Sequence, residues 1–321
     1  LEQAVRFRHI IIALLFLSAC GDQDPSKGSK NPIVDVGVVD MGPDLAPDVG
    51  PDGIPLRVGT FNVRRFFDTV CQSNACASGD YELQLSTAEF DFKAQKLATA
   101  IDAMDVDVIS LQEVETQAVL DGLMSKLQTP YTIAKIAETG GTASLDVAVL
   151  SKGTLIETRN HKDVPLKRPD GSNTSFAREF FEVHIDLNGH RVVVFAAHFR
   201  SQRDDDPGRR FAEAEAAGLI VHATAAEFPN ALVVLAGDLN DTPESDPIQA
   251  LLAAGGLTLL TQPGLWTYGS FSSTEQIDQL IMANSSSIWV DEGMPVAFDD
   301  GSGSYGGSDH RALAATFRFP E

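Results

Sequence analysis

Several short stretches of this chain end an apolar run with side chains suited to phosphate or cation chemistry. The clearest is Leu232-Val-Val-Leu-Ala-Gly-Asp-Leu-Asn240, where Asp238 and Asn240 stand two positions apart just past Gly237. A carboxylate and an amide so spaced at a strand end can share one phosphate or one hydrated metal ion. Gly-Asp-x-Asn is also ordinary turn chemistry. Asp107-Val-Ile-Ser-Leu-Gln-Glu113 delivers an acid in the same manner, and Leu56-Arg-Val-Gly-Thr-Phe-Asn62 an amide. The run Arg191–Ala197 ends at His198, Asp278 lies in Gln276–Ile281, and Asp309-His310 precede Arg311–Phe319. Each alone is compatible with a solvated cap or a structurally satisfied histidine. Their recurrence at strand ends is what argues for a single site, since ligands of α/β sheets collect beyond the carboxyl ends of strands.

The elements that must position these groups follow from periodicity. Apolar residues at Phe90, Ala94, Leu97, Ile101 and Met104 have helical spacing over Glu89–Met104. A second helix is expected over Gln117–Leu127, then strands at Tyr131–Ile136 and Leu145–Leu150. Phe180–Leu187 and Arg191–Ala197 flank Asn188-Gly189, a pair that favours positive φ, so they are read as a hairpin. Helices are expected at Arg209–Glu227 and Asp246–Ala253. Hairpins interleaved with strand–helix pairs suggest two mixed sheets packed face to face with helices outside.

The first 55 residues read differently. Arg6 and Arg8 precede Ile10–Leu17 and then Ser18-Ala19-Cys20, the pattern of an export signal, with an apolar run short for a membrane span. Leu-Ser-Ala-Cys resembles the bacterial lipobox, which implies a leader over residues 1–20 and a lipidated Cys20 that anchors without crossing the membrane. Because Asp is at position 22 and not directly after Cys20, the outer membrane or cell surface is the expected location. Residues 21–55 are rich in Asp, Pro and Gly and poor in large apolar groups, which predicts a disordered tether. It contributes to a net charge of −21, a balance that excludes a generally basic nucleic-acid coat but not a nuclease with a local basic groove. Of three cysteines, Cys71 and Cys76 remain in a polar loop, and in an oxidising compartment they are expected to pair.

Taken together, Thr60-Phe-Asn62, Leu111-Gln-Glu113, His198-Phe-Arg-Ser201, Gly237-Asp-Leu-Asn240, Ile277-Asp278 and Ser308-Asp-His310 resemble, in order, the endonuclease/exonuclease/phosphatase superfamily. Phe176-Ala-Arg178-Glu179 is similar to the Phe-x-Arg-Glu segment of its pancreatic-type deoxyribonucleases. The resemblance covers roughly residues 56–321. It implies a four-layered α/β sandwich of two mixed, mainly antiparallel sheets flanked by helices. It also implies divalent-metal chemistry on phosphoesters, with Mg²⁺ preferred and Mn²⁺ or Ca²⁺ as substitutes, since a hard cation offsets the charge of a phosphodiester and its leaving alkoxide. Glu113 and Asp309 are then the expected metal ligands. His310 activates water or contacts a non-bridging oxygen, with Asp278 fixing its tautomer, and His198 protonates or stabilises the leaving oxygen. Asp238 and Asn240 orient nucleophile and phosphate, Asn62 holds the acid network, and Arg178 contacts phosphate. Asp146 aligns loosely with a residue that supports the first histidine in some relatives.

The leading expectation is an exported, monomeric, membrane-anchored nuclease. The alternatives are a sphingomyelinase-like or inositol-phosphate phosphoesterase and, from another class, a non-catalytic surface binding module. Arg168, Arg203, Arg209 and Arg210 are candidates for a substrate groove or, equally, solvated charges on a polar loop and helix, and Trp266 and Trp289 are candidates for the core.

Overall fold

Every residue of the strand Leu232–Asp238 is buried, as a continuous apolar run requires when both faces of a strand are covered. It lies inside a sheet ordered Leu257–Leu260, Asp278–Ala283, Leu232–Asp238, His190–His198, Phe181–Leu187, Thr154–Asn160. A first sheet runs Trp289–Val290, Ala312–Pro320, Gly53–Phe66, Val108–Val114, Asp146–Ser151, Ile133–Ala137, with Val296–Phe298 also on Ala312–Pro320. Among the described residues each of these sheets holds a single parallel pair: Gly53–Phe66 with Val108–Val114, and His190–His198 with Leu232–Asp238. The computed structural model describes residues 53–203, 205–270, 273–284, 289–290, 295–301 and 305–320. The expected leader, Cys20 and the tether lie outside them.

Alternation along the strands decides the layers. Val192, Val194, Leu232 and Val234 pack with Leu56, Val58, Val108 and Val149 into the core between the sheets. The intervening Val193, Phe195, Val233 and Leu235 turn outward onto α3 (Pro207–Glu227) and α4 (Asp246–Leu252) through Ala214, Ala217, Val221, Ile248 and Leu251. On the other flank Phe61, Ile109 and Leu111 meet α1 (Thr87–Met104) and α2 (Gln117–Met124) through Ala94, Leu97, Ile101 and Leu120. Each large side chain so buried contributes about 1.5–3 kcal/mol. The result is the expected four-layered sandwich of mainly antiparallel sheets.

Local chemistry explains where elements start. α1 begins two residues before the expected Glu89 because Ser86 and Glu89 close a capping box, with Glu89 N donating to Ser86 Oγ at 3.3 Å and Ser86 N to Glu89 Oε2 at 2.8 Å. α3 starts early for a related reason: Asp206 accepts from Arg209 N at 2.9 Å and proline occupies the first turn. The predicted hairpin turn is present, with φ of 57° at Asn188 and 86° at Gly189. Cys71 and Cys76 are bonded. The strands Thr154–Asn160 and Leu257–Leu260 were not anticipated. The first is an edge strand of alternating exposed and half-buried residues, so its polar sequence carries no apolar run to read.

Candidate active site

Register assembles the site before any side chain is considered. Asp238 is the Cα partner of His198 across the parallel pair and of Asp278 across the antiparallel one, so three of the expected residues form one row at the sheet's end. Gly237 permits this approach, because a Cβ there would stand 2.1 Å from the carbonyl oxygen of Ala197. In the first sheet Asn62 is paired with Gln112, and both strands shift register just beyond, between Asn62 and Phe66 and between Gln112 and Val114. The bulge places Glu113 at φ 67°, a left-handed conformation that costs a residue with a side chain roughly 1–2 kcal/mol. The carboxylate so re-aimed is fixed by Asn62 Nδ2 at 3.2 Å and Arg65 N at 2.7 Å.

Asn62 joins the two sheets, since its Nδ2 also donates to Asp238 Oδ2 at 3.0 Å. The other oxygen of Asp238 accepts from Asn240 N at 2.9 Å, which requires Asn240 at φ 53°. His198 Nε2 lies 3.6 Å and His310 Nε2 3.9 Å from Asp238 Oδ2, and His310 Nδ1 is 2.8 Å from Asp278 Oδ2. Arg178 Nη1 and Asn240 Nδ2 both donate to the carbonyl of Phe199 at 3.1 Å. An open cleft of about 380 Å³ is bordered by Glu113, Arg178, His198, Asp238, Asn240, Asp309 and His310, while Asn62 and Asp278 do not line it.

Burial and neighbouring charge set the protonation states. Burial would lower His310, but the Asp278 carboxylate and its hydrogen bond outweigh this and hold the imidazole well above its ordinary value. Burial, with Arg178 and His310 adding positive charge, holds His198 well below its own. Burial and the adjacent Asp278 raise Asp238 above the usual carboxylate range. At neutral pH the site therefore contains a cationic His310 and a neutral His198.

Three expectations are corrected. Asp146 does not support His198: it accepts from Thr139 N at 3.1 Å, Thr139 Oγ1 at 2.9 Å and Ser144 Oγ at 2.7 Å, while His198 Nδ1 is buried with no partner among the described residues. Of the groove arginines only Arg203 borders the cleft. Arg168 pairs with Asp206 at 2.8 Å, Arg210 is buried against Asp241 at 2.7 Å, and Arg209 donates to the carbonyl of Ser175 at 3.0 Å. Trp266 is only partly buried and lies under the guanidinium of Arg311, 3.3 Å from the ring centroid. The side chain of Trp289 lies outside the described set.

Several supporting residues were missed. Buried Thr267 accepts from the backbone N–H groups of Ile277 and Asp278 at 3.1 and 3.0 Å, setting the start of the Asp278 strand. Ser308 donates to the carbonyl of Asn62 at 2.7 Å and accepts from His310 N at 3.1 Å. Glu213, fully buried, accepts from Ala177 N at 2.6 Å and Arg200 N at 2.7 Å, tying the Arg178 segment to the His198 segment. One signal for Glu213 was in the sequence: it falls in the buried stripe 210, 213, 217, 221, 224 of α3, where an acid needs a reason.

The donor chemistry suits a hard cation at Glu113. Both its oxygens accept from N–H donors, which fixes the group while leaving lone pairs toward the cleft, and one carboxylate with water matches the preference of Mg²⁺. Asp309 also reaches the cleft, half-exposed and 3.2 Å from Arg64 Nε. Asp238, Asp278 and His310 also bring ligating atoms within 4.8 Å of one another, but there an internal hydrogen bond already joins two members.

The four-layered α/β sandwich thus brings carboxylates, two histidines and an arginine to one rim. Residues 59–310 match the Endonuclease/Exonuclease/phosphatase family, and the chain belongs to it. Members of this family are typically hydrolases acting on phosphoesters, usually with a divalent metal such as Mg²⁺. Among solved structures, the endonuclease/exonuclease/phosphatase from Bacteroides vulgatus superimposes with TM-score 0.59 at 16% identity, covering 83% of this chain and 99% of that one. TDP2 from C. elegans gives 0.56 at 17%, over 84% and 78% of the two chains. D. rerio TDP2 complexed with single strand DNA product gives 0.55 at 12%, over 82% and 99%. At such identities the likeness is one of fold. No curated protein sequence matches the chain.

Proposed function

We propose that the chain is a Mg²⁺-dependent phosphodiesterase that cleaves nucleic acid, exported and held at a membrane surface through Cys20, and active as a monomer. The observation that carries the catalytic reading is the Asn62 bridge: one amide joins Glu113 to Asp238, and both histidines stand within 4 Å of the same Asp238 oxygen. In this reading Asp238 is the base, because its raised affinity for protons and its fixed orientation suit it to take one from an attacking water. His310, kept cationic by Asp278, contacts a non-bridging phosphoryl oxygen instead of activating water. Neutral His198 donates a hydrogen bond toward the leaving oxygen, and Arg178 adds positive charge. Glu113, with Asp309 beside it, would hold Mg²⁺, or Mn²⁺ or Ca²⁺ in its place, which when bound would supply Lewis-acid stabilisation of developing negative charge.

The deciding experiment incubates the protein with plasmid DNA, single-stranded DNA, RNA, sphingomyelin and inositol phosphates, each with Mg²⁺ and with chelator. Chelator-sensitive cleavage of nucleic acid is expected. Turnover confined to sphingomyelin or inositol phosphates would replace the nuclease reading with the corresponding phosphoesterase, and binding without turnover would make the chain a binding module. Release of the protein from membranes by Cys20→Ser tests the anchor.

A further inference from the structure

The four tyrosines of the chain divide sharply. Tyr131 and Tyr305 are buried, and their hydroxyls donate to core carbonyls of Val106 at 3.1 Å and Ala100 at 2.8 Å. Tyr81 and Tyr268 are 57% and 39% exposed, and both border the catalytic cleft. Tyr268 has its ring against that of His310, with centroids 4.8 Å apart. Tyr81 lies within the field of Arg178, Glu113 and Arg65. It belongs to no strand or helix, which raises the question of what holds an exposed ring in place.

The loop that carries it is braced at each end. The Cys71–Cys76 bond closes its first part. Buried Glu82, the residue after Tyr81, reaches back into that closed segment and accepts from Gln72 N at 2.5 Å and Ser73 N at 2.6 Å. Arg65, which also holds Glu113 through its backbone N–H, donates from Nη2 to the carbonyls of Asp80 (3.0 Å) and Tyr81. Its guanidinium lies 5.8 Å from both the Tyr81 and the Phe67 ring centroids, and those rings meet edge to face at 6.0 Å. One face of Tyr81 is thus committed to the protein, and the remaining surface looks into a cleft that also holds Arg178 and Arg203. A fixed aromatic face beside cationic side chains is the arrangement that receives an unpaired base while the backbone follows the positive charge.

We propose that Tyr81 is a specificity-determining platform on which an unpaired base next to the attacked phosphate stacks, and that the Cys71–Cys76 bond, acting through Glu82, holds it there. The inference rests on the nucleic-acid reading above and narrows it to substrates with a base free to leave its duplex partner.

The test compares steady-state cleavage of a single-stranded oligonucleotide with that of an otherwise identical strand carrying abasic residues around the cut. Tyr81→Ala is expected to raise KM on the base-bearing strand roughly five- to 150-fold, with kcat little changed, and to leave the abasic strand unaffected. Tyr81→Phe restores the wild-type value. Cys71→Ser with Cys76→Ser moves KM in the same direction as Tyr81→Ala. Equal KM for wild type and Tyr81→Ala, or equal losses on both strands, overturns the platform while leaving the nuclease reading intact. An unchanged KM in the double serine variant overturns the role of the disulfide. A wild-type protein that cleaves plasmid DNA or RNA but neither strand overturns the platform and leaves the nuclease reading standing, and one that cleaves no nucleic acid removes both.

Discussion

Asp278 Oδ2 and His310 Nδ1 are 2.8 Å apart although they enter from different sheets: Asp278 opens the strand Asp278–Ala283, and His310 leads into Ala312–Pro320. Both are buried, and the pairing leaves His310 Nε2 aimed toward Asp238 at 3.9 Å. One hydrogen bond therefore fixes ring orientation, charge and distance to the proposed base together.

Replacing Asp278 by Asn removes the charge that keeps His310 protonated but preserves shape and a hydrogen-bonding partner. Turnover is expected to fall on the order of 10²–10⁴-fold, the range of a positioned proton-bearing group, and His310→Ala to fall by a similar factor. Circular dichroism and thermal melting should show a folded protein in both. Full activity in either variant would contradict the roles given to the pair.

Asp238 yields a pH prediction with two opposite readouts. Its carboxyl is raised by burial and by Asp278, so the folded state binds a proton more tightly than the unfolded chain. Sign follows from linkage: stability declines as pH rises from the unfolded carboxylate range through the raised folded value, and the full penalty applies above it. Catalysis needs the deprotonated form, so kcat/KM should climb over that same raised range. Asp238→Asn is expected to abolish turnover; its amide loses one of the two acceptors at every pH, so its melting temperature relative to wild type should be higher at pH 8 than at pH 4. Equal melting shifts at the two pH values would sink the assignment.

Most of the site was legible because its members sit at ends of strongly apolar strands, where alternation and glycine mark the boundary. Leu232–Asp238 and His190–His198 are of that kind, and their register alone puts Asp238 beside His198 and Asp278. What could not be read depends on three-dimensional neighbours. Whether Asp146 reaches His198 is decided by Thr139 and Ser144, which claim its oxygens first. The groove arginines differ only in which acid lies across from them, as Asp241 does for Arg210. The left-handed backbone at Glu113 arises from a bulge that no local residue type announces.

Glu113 predicts a metal dependence separable from folding. Glu113→Gln keeps the size of the side chain and one acceptor for Asn62 Nδ2 or Arg65 N, now bound at 3.2 and 2.7 Å, but removes the negative charge and the second acceptor. The Mg²⁺ concentration for half-maximal activity should rise by more than about 100-fold, beyond the roughly 10–100-fold losses typical of supporting residues around a metal. Titration of activity against Mg²⁺ after exhaustive chelation measures this. An unchanged activation curve would mean that the cation is held elsewhere, the Asp238, Asp278 and His310 group being the next place to look.

A last prediction concerns stability far from the cleft. Glu182 is fully buried, with Oε1 2.6 Å from His184 Nε2 and Oε2 2.7 Å from His161 Nε2. Burial would raise its carboxyl, but the hydrogen bonds and charges of His161 and His184 outweigh this and hold it at about 2, against an ordinary value of 4.5. A depressed carboxylate stabilises the fold above the unfolded value and loses that contribution as pH falls toward the folded one, so the window lies between pH 4.5 and 2. Glu182→Gln should cost on the order of 3 kcal/mol at neutral pH, since it leaves a buried polar cluster without its counter-charge. Urea unfolding from pH 7 to pH 2.5 should show wild type and variant converging as acid is added, with kcat of the folded variant unchanged. Parallel stability curves across that range would mean the Glu182 charge contributes nothing.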